Sequence, residues 1–167
     1  MLNFEIMAED LVIKGGSKEE RYACLLPQMA AVLEGETDEI ARMANVAAML
    51  HETFRFWWTG FYRVSGDELV LGPFQGPMAW MRLRQGRGVC GTAWARAETL
   101  VVPDVDQFPG HIACSSASRS EIVVPVFREG TVVGVLDIDS EKLSTFDSTD
   151  KMFLEQVAAM IFPPAEG

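Results

Sequence analysis

The sequence has few cysteines and no long apolar run. Its three cysteines are Cys24, Cys90 and Cys114. An odd number cannot form a fully paired disulfide framework, so we expect a reducing, cytoplasmic setting with free or redox-active thiols. No apolar stretch approaches the length of a membrane span, and the N-terminus lacks the basic opening and apolar run of a secretory signal. We therefore expect neither a disulfide scaffold nor a membrane protein.

Basic residues are also scarce. The chain carries 14 Lys and Arg against 24 Asp and Glu, a formal charge of −10. Phosphate contacts need clustered Lys and Arg, so we expect no nucleic-acid surface and no attraction to anionic lipid. The only local basic cluster is "MRLRQGR", from Met81 to Arg87. We predict that it lies on a solvated loop.

The chain length and the absence of internal boundaries favour one domain. The 167 residues contain no repeat and no low-complexity segment, and no long linker divides them. A chain of this length can bury a substantial core. We predict a single domain over 1–167, with an N-terminal extension at 1–16 and a core at 17–162.

Three amphipathic helices are predicted from caps and periodicity. Ser17 serves as the N-cap of the first, with Glu20 at the capping-box position, and Gly35 closes it. Thr37 caps the second, and the third begins near Ser148. The predicted buried residues are Leu25, Leu26, Met29, Val32 and Leu33 in the first helix, Ile40, Met43, Ala44, Ala47 and Leu50 in the second, and Phe153, Leu154, Val157 and Ile161 in the third.

Short segments rich in β-branched and aromatic residues predict strands between the second and last helices. They are "FRFWWTGFYRV", "DELVLGPFQG", "TLVVPDV", "EIVVPVF" and "TVVGVLDID". The segment "GVCGTAWARAE" predicts a short helix entered through glycines. This order indicates an α+β fold, with long helices on one face of an antiparallel sheet. Loops and the short helix would enclose a pocket on the other face.

The last two predicted strands carry three carboxylates. If 128–130 forms a three-residue hairpin loop, Glu121 lies opposite Asp137, and Asp139 shares their face through the period of two. A two-residue loop would send Glu121 to the opposite face. Like charges on one face need compensation, which a bound cation or a raised carboxyl pKa would supply. The alternative is a solvated polar face.

The cysteines differ in setting. Cys114 lies in a polar loop seven residues before Glu121, beside His111, and is either a reactive thiol or an inert one. We favour a turn role for His111. Cys90 lies in "GRGVCG", which spells G-x-G-x-x-G, but the predicted helix is too short for a dinucleotide site. We expect Cys90 to begin a helix whose dipole favours a thiolate, and Cys24 to be a bystander.

Tandem tryptophans open the first predicted strand. Trp57 and Trp58 share that strand, so their side chains should point to opposite faces of the sheet. One would help to fill the core beneath the helices, and the other would form an aromatic wall of the pocket. The pattern does not choose between them.

The segments "GVCG", "FPGHIAC" and "SRSEIVVP" together resemble the free methionine-(R)-sulfoxide reductases, which are enzymes built on the GAF fold. The resemblance runs from about "FWWTGFY" through the final helix. It implies a GAF-like central antiparallel sheet of about six strands, usually in a homodimer. It also implies free methionine-(R)-sulfoxide as the substrate, no cofactor and no metal, and recycling by an external reductant, thioredoxin.

The resemblance also implies roles for individual residues. Cys114 matches the nucleophile, and Cys90 matches a cysteine that resolves its sulfenic acid as a disulfide. Glu121 and Asp139 match the acids that bind the sulfoxide and supply its proton. The two remaining matches are Asp137, a third pocket acid, and Trp58, which packs against the substrate's methyl group.

One position departs from the family. Many members carry another cysteine ten residues before the "GVCG" cysteine, whereas this sequence has Trp80 there. Cys90 is then the natural partner for Cys114, unless an external thiol resolves the sulfenic acid directly. The rival hypothesis is a non-catalytic GAF-type sensor of a small molecule, which has no evident need for two thiols near three acids.

Overall fold

The fold is given by a computed structural model that describes residues 11–110 and 117–164. The helices of this part of the chain are α1 (Lys18–Leu33), α2 (Glu39–Phe54), α3 (Gly88–Arg96) and α4 (Ser148–Ala159). The strands are β1 (Trp58–Ser65), β2 (Glu68–Gln75), β3 (Arg82–Arg84), β4 (Leu100–Val102), β5 (Ser120–Arg128) and β6 (Thr131–Ser140). A 3-10 helix spans Val105–Gln107. None of the described helices is long and apolar enough to cross a membrane.

The strands form one six-stranded sheet in the order β3-β2-β1-β6-β5-β4. Every pair of neighbouring strands is antiparallel. The long strands β5, β6 and β1 lie together at the centre, and the three-residue strands β3 and β4 lie at the edges. The predicted α+β fold with about six antiparallel strands is confirmed.

Each face of the sheet has its own hydrophobic core. The α1, α2 and α4 helices pack against one face, where Phe61, Ile122 and Leu136 are fully buried. The other face is covered by α3 and by the loops around β3 and β4, and its core includes Tyr62, Val123 and Val135. The predicted separation of long helices from the short helix is therefore confirmed.

The helix caps agree with the sequence to within one residue. The Ser17 side chain accepts a hydrogen bond from the Glu20 backbone N–H at 3.1 Å, as predicted. Thr37 was the wrong cap for α2, because the Asp38 side chain accepts from the backbone N–H of Ala41 at 2.9 Å. At α4 the N-cap is Asp147, one residue before Ser148.

The predicted buried face of α2 is partly wrong. Met43, Ala47 and Leu50 are buried as expected, but Ile40 and Ala44 are exposed. Five other positions complete the contact with the sheet and the neighbouring helices; they are Arg42, Val46, Met49, Thr53 and Phe54. The buried face of α2 therefore includes Val46 and Met49, whose side chains lie in the core between the long helices and the sheet.

The loop prediction for the basic segment "MRLRQGR" is wrong for its centre, which is a strand, while residues 85–87 form a turn. Arg82–Arg84 forms β3, which pairs with β2 so that Leu83 lies opposite Leu69. The Leu83 side chain is buried, whereas Arg82 and Arg84 point outward and are exposed. This alternation is typical of an edge strand with one face on the core, and charged side chains protect such an edge from further pairing.

The β5–β6 hairpin corrects the predicted register. Its loop has two residues, because Arg128 pairs with Thr131 and both Glu129 and Gly130 have positive φ. A bulge between Val126 and Phe127 then shifts the pairing by one residue. The bulge cancels the change of face that a two-residue loop would cause.

As a result, the partner of Glu121 is Asp139 and not Asp137. The predicted cross-strand partner was therefore wrong. The shared face is confirmed, because Asp137 and Asp139 are two positions apart on β6.

Candidate active site

Three carboxylates lie side by side at the centre of the sheet, on the face that α3 covers. Glu121, Asp137 and Asp139 are only 6%, 2% and 7% exposed. On β1, Trp58 lies opposite Asp139 and Gly60 lies opposite Asp137. A buried carboxylate is costly unless it is paired or protonated. The solvated polar face considered as the alternative is therefore excluded.

The Glu121 and Asp139 side chains are joined by a hydrogen bond. Ser118 donates a second hydrogen bond from its Oγ to Asp139 Oδ1 at 3.0 Å. Burial raises the pKa of Asp139 well above its usual range, and the negative charge of Asp137 raises it further, while both hydrogen bonds act in the opposite direction. A hydrogen bond between two carboxyl groups requires a proton on one of them, and the raised pKa of Asp139 favours a pair that keeps this proton above the pH at which an ordinary carboxyl group is ionised.

Cys90 is held above these acids by the N-terminus of α3. Gly88 begins the helix with a φ of 67°. Gly91 packs so closely on β3 that an added Cβ would collide with the backbone oxygen of Arg84. The Gly86 N–H donates to the Gly91 carbonyl at 2.8 Å. These contacts fix the start of the helix, and they bury Cys90, which is 5% exposed.

The expectation of a Cys90 thiolate is wrong for the described structure. Burial raises the pKa of the Cys90 thiol well above its usual value. The negative charges of Asp137, Glu121 and Asp139 raise it further, as does a hydrogen bond with Asp137. A helix dipole contributes about half a charge at its N-terminus, which does not offset burial beside three acids. Cys90 is therefore a protonated thiol next to a carboxylate that can accept its proton.

Cys90, Glu121 and Asp137 form the donor set closest to a metal site among the described residues. The Cys90 Sγ and one carboxylate oxygen from each acid all lie within 4.8 Å of one another. A cavity of about 20 Å³ opens beside them, which is room for about one water molecule. Thiolate and carboxylate are ligands that Zn²⁺ accepts, but binding there would require the loss of the thiol proton. The absence of a metal cofactor stays a prediction.

An aromatic wall borders the acids. The Trp58 ring stacks on Phe74 at 5.2 Å and on Tyr62 at 6.0 Å, measured between ring centroids. The Trp58 Nε1 donates to the Pro77 carbonyl at 3.0 Å, and the Tyr62 hydroxyl donates to the Trp80 carbonyl at 2.8 Å. These bonds tie the segment between β2 and β3 to the wall. Sequence reasoning missed Tyr62 and Phe74. Tyr62 could have been found, because it lies four residues after Trp58 on β1 and an even spacing places both side chains on the same face.

Both tandem tryptophans lie on the site face. Trp57 packs with the cluster that contains Trp58, and the two residues line a small cavity together with Ser118 and Asp139. The expectation that one of them fills the core beneath the long helices was wrong, because Trp57 precedes the first residue of β1 and the alternation of a strand does not apply to it. The Trp57 Nε1 is buried without an acceptor among the described residues.

Cys114 and His111 lie outside the described residues. Four positions after Cys114 in the sequence, Ser118 is buried and hydrogen bonded to Asp139. The remaining cysteine, Cys24, lies on α1 on the opposite side of the sheet. Its Sγ contacts the Val12 carbonyl at 3.4 Å, and its role as a bystander stays a prediction.

The chain is similar to GAF domain proteins and to free methionine-R-sulfoxide reductases. The GAF domain family matches residues 30–161. GAF domain-containing protein A of Dictyostelium discoideum is 58% identical over 156 residues, which cover 93% of this chain and 99% of that protein. The free methionine-R-sulfoxide reductase of Escherichia coli strain K12 is 46% identical over 146 residues, which cover 87% of this chain and 88% of that protein.

A solved structure is similar over most of its length. The X-ray structure of free methionine-R-sulfoxide reductase from Neisseria meningitidis, in complex with its substrate, has a TM-score of 0.89 and 53% identity. The match covers 90% of this chain and 92% of that chain. The fold and the site thus define a GAF domain protein. Within that class, the chain belongs to the family of free methionine-(R)-sulfoxide reductases.

Proposed function

We propose that the protein is an oxidoreductase that reduces free L-methionine-(R)-sulfoxide to L-methionine by thiol chemistry. The observation that carries the proposal is the Glu121–Asp139 carboxyl pair, buried beside the Cys90 thiol and an aromatic wall. Relatives that are 46% and 39% identical are named free methionine-R-sulfoxide reductases. This function needs a proton donor for the sulfoxide oxygen and a thiol near it to resolve the oxidised nucleophile, and the carboxyl pair and Cys90 support these two roles.

Substrate binding uses the two kinds of surface in the pocket. The ring of Trp58 offers an apolar face to the methyl group of the substrate. The Asp139 carboxyl group is a donor for the sulfoxide oxygen, and the charge of Asp137 suits the substrate ammonium. The buried N–H of Trp57 is available to an acceptor on the substrate, because it has none among the described residues.

The reduction starts with attack by the Cys114 thiolate on the sulfoxide sulfur. Asp139 transfers its proton to the sulfoxide oxygen, which turns a poor leaving group into a better one. The attack forms a bond between the two sulfur atoms, and the protonated oxygen passes from the substrate sulfur to the Cys114 sulfur. The sulfur–oxygen bond of the substrate and the new sulfur–sulfur bond both break, the substrate sulfur keeps the electron pair of the sulfur–sulfur bond, and methionine leaves. Cys114 is oxidised by two electrons and becomes a sulfenic acid.

Resolution then uses Cys90. Its sulfur attacks the Cys114 sulfenic acid, a disulfide forms, and the hydroxyl group leaves as water. Because the pKa of Cys90 is raised by burial and by its acidic neighbours, the attack requires a nearby base that removes the thiol proton. Asp137, which is hydrogen bonded to the thiol, is placed to accept its proton.

Recycling completes the proposal. A dithiol protein of the thioredoxin class reduces the Cys90–Cys114 disulfide by exchange. We further propose a homodimer, which rests on the family resemblance. We also propose a reducing, cytoplasmic compartment, which is supported by the odd number of cysteines and by thiols that must return to the reduced state.

The cysteine variants test the chemistry. In a single turnover without reductant, wild-type protein should form about one methionine per chain and accumulate a Cys90–Cys114 disulfide, detected by mass spectrometry. Cys90→Ser should still form methionine but retain the sulfenic acid, which a dimedone adduct would detect. Cys24→Ser is the matched control and should behave as wild type. Undiminished turnover in Cys114→Ser would reject the assigned nucleophile, and ligand-dependent stabilisation without any turnover would favour the sensor hypothesis.

A further inference from the structure

An exposed surface next to the site combines large apolar and basic side chains. We define the Arg/Met/Trp patch as Met78, Trp80, Met81, Arg82, Arg84 and Arg87. Its apolar members are 91%, 56% and 71% exposed for Met78, Trp80 and Met81. These are three large apolar side chains within four positions of the sequence. Such a concentration of exposed apolar surface marks an interaction site more often than chance exposure does.

The composition of the patch is that of a protein interface. Trp, Met and Arg are enriched where proteins bind each other, and Trp and Arg dominate the residues that carry binding energy. A shallow cavity of about 250 Å³ lies among Trp80, Arg82, Leu83, Arg84 and Arg87. It is large enough to receive a side chain of a partner.

The patch is continuous with the surroundings of Cys90. Leu83 and Arg87 line the 250 Å³ cavity, and both also line the small cavity that contains Cys90, Glu121 and Asp137. The backbone connects the same parts, because β3 is followed by α3, which carries Cys90 in its first turn. A protein bound to the patch would therefore lie over the thiol that the proposed mechanism oxidises.

The charge of the patch selects its partner. The chain as a whole has a formal charge of −10, yet three arginines lie here within six positions. Arg82 forms an ion pair with Glu68 at 3.2 Å. Arg84 and Arg87 form no ion pair with any described residue. Their positive charge is thus available to a partner with an acidic surface. The attraction between the opposite charges would also guide such a partner to the patch.

We propose that the Arg/Met/Trp patch is the docking surface for the reductant, an acidic protein dithiol. The inference rests on the proposed function, in which each turnover leaves one disulfide. The partner's thiolate attacks one sulfur of the Cys90–Cys114 disulfide and forms a mixed disulfide, releasing the other cysteine. The partner's second thiol then breaks the mixed disulfide. The partner loses two electrons and two protons, and the chain regains two thiols.

The experiment compares a protein reductant with a small one. Arg84→Glu, Trp80→Ser and the double variant are assayed with thioredoxin at varied concentration and, separately, with dithiothreitol. The double variant should raise the KM for thioredoxin by about tenfold or more, because it removes an anchor and reverses a charge. Rates with dithiothreitol should stay within about twofold of wild type, because neither side chain lines the two cavities beside the acids and the Trp80 carbonyl that holds Tyr62 belongs to the backbone. Arg96→Glu, the same charge change at an exposed position outside the patch, should leave both rates unchanged.

Binding is measured without turnover as a second readout. The Kd of thioredoxin for the protein should rise with the double variant, and added salt should weaken binding to wild type more than binding to Arg84→Glu. An unchanged KM and Kd for thioredoxin would overturn the proposal. So would an equal loss with both reductants, or a double variant whose only defect is dissociation of a dimer. Inactivity of wild type with both reductants would instead reject the proposed function, and the binding measurement would still decide the docking surface.

Discussion

Glu121 and Asp139 lie directly opposite each other on β5 and β6, and a hydrogen bond joins their carboxyl groups. The pair is buried next to a third acid, Asp137. Two carboxyl groups in this arrangement hold one proton between them. The centre of the sheet therefore keeps a proton above the pH at which an ordinary carboxyl group loses it, at the place where the proposed reaction consumes one.

The first prediction concerns this proton. Asp139→Asn should lower kcat/KM for the free sulfoxide by about 10²–10⁴-fold, which is the usual contribution of a positioned acid. Asn is similar in shape and keeps a hydrogen bond, so the loss would come from the missing proton. Steady-state kinetics with dithiothreitol measure it, and Asp106→Asn, an exposed acid outside the pocket, is the control. An Asp139→Asn enzyme with full activity would show that the proton comes from elsewhere.

The second prediction concerns stability against pH. The pKa of Asp139 is raised by folding from an ordinary value of 3.8, so the folded state binds more protons than the unfolded state above that pH. Stability should therefore fall as pH rises from about 4 toward the folded pKa. Asp139→Asn removes this cost and should be the more stable protein at neutral pH.

Denaturant unfolding at a series of pH values measures the effect. The free energy of unfolding of Asp139→Asn should exceed that of wild type by about 1 kcal/mol or more at pH 7, and the difference should shrink toward pH 4. Asp106→Asn should not differ from wild type. A variant less stable than wild type at pH 7 would contradict the assignment of a raised pKa.

The third prediction concerns the aromatic wall. Trp58→Ala should raise the KM for the sulfoxide by about tenfold, because the apolar contact with the substrate's methyl group is worth about 1–2 kcal/mol. Trp58→Phe should lose less, since a ring still stacks on Phe74. The exposed Trp80→Ala is the control and should leave the KM for the sulfoxide unchanged. A Trp58→Ala enzyme with a normal KM and a reduced kcat would mean that Trp58 positions the chemistry and does not bind the substrate.

The fourth prediction concerns the turn that sets the register of the acids. Glu129 has a φ of 50°, which costs an L-residue about 1 kcal/mol. Asn and Gly tolerate this conformation and are preferred in two-residue hairpin loops. Glu129→Gly or Glu129→Asn should therefore raise the free energy of unfolding by about 0.5–1 kcal/mol without changing activity. Glu141→Asn, an exposed substitution elsewhere, should give no gain, and a loss of stability in both Glu129 variants would contradict the turn.

The fifth prediction concerns metal ions. The proposed reaction uses only thiols and carboxyl groups, so dialysis against EDTA should leave kcat and KM unchanged. Added Zn²⁺ followed by EDTA should return the enzyme to its starting activity. If activity fell on dialysis and Zn²⁺ brought it back, Cys90, Glu121 and Asp137 would hold an ion that the mechanism requires.

Much of the fold follows from local rules that the sequence displays. Caps such as Ser17 and the period of two on β5 and β6 depend only on neighbouring residues. They sufficed for the existence of the helices and for the common face of Asp137 and Asp139. The register of the hairpin did not follow, because it depends on a bulge that leaves Val133 of β6 unpaired, for which the adjacent Gly134 is only a weak sequence signal. The two-residue loop and the bulge each shift the pairing, and only their sum keeps Glu121 beside Asp139.

The properties that tertiary contacts create were the hardest to predict. The helix dipole suggested a thiolate at Cys90, but burial and the negative charge of three acids raise its pKa. The alternation rule failed at Trp57 because β1 begins one residue later. Met81–Arg87 looked like a solvated loop because its charges hide the single buried residue of β3, Leu83. For Cys90 and for Leu83 the deciding contacts are distant in the sequence.

The most direct test of the central claim is an activity assay resolved by substrate form. Purified protein with dithiothreitol is given free L-methionine-(R)-sulfoxide, the free (S) epimer and a peptide containing methionine-(R)-sulfoxide, and methionine formation is measured by chromatography. The proposed function predicts rapid turnover of the free (R) epimer and little or none of the other two. Absence of turnover with the free (R) epimer, or equal turnover of the peptide, would contradict it.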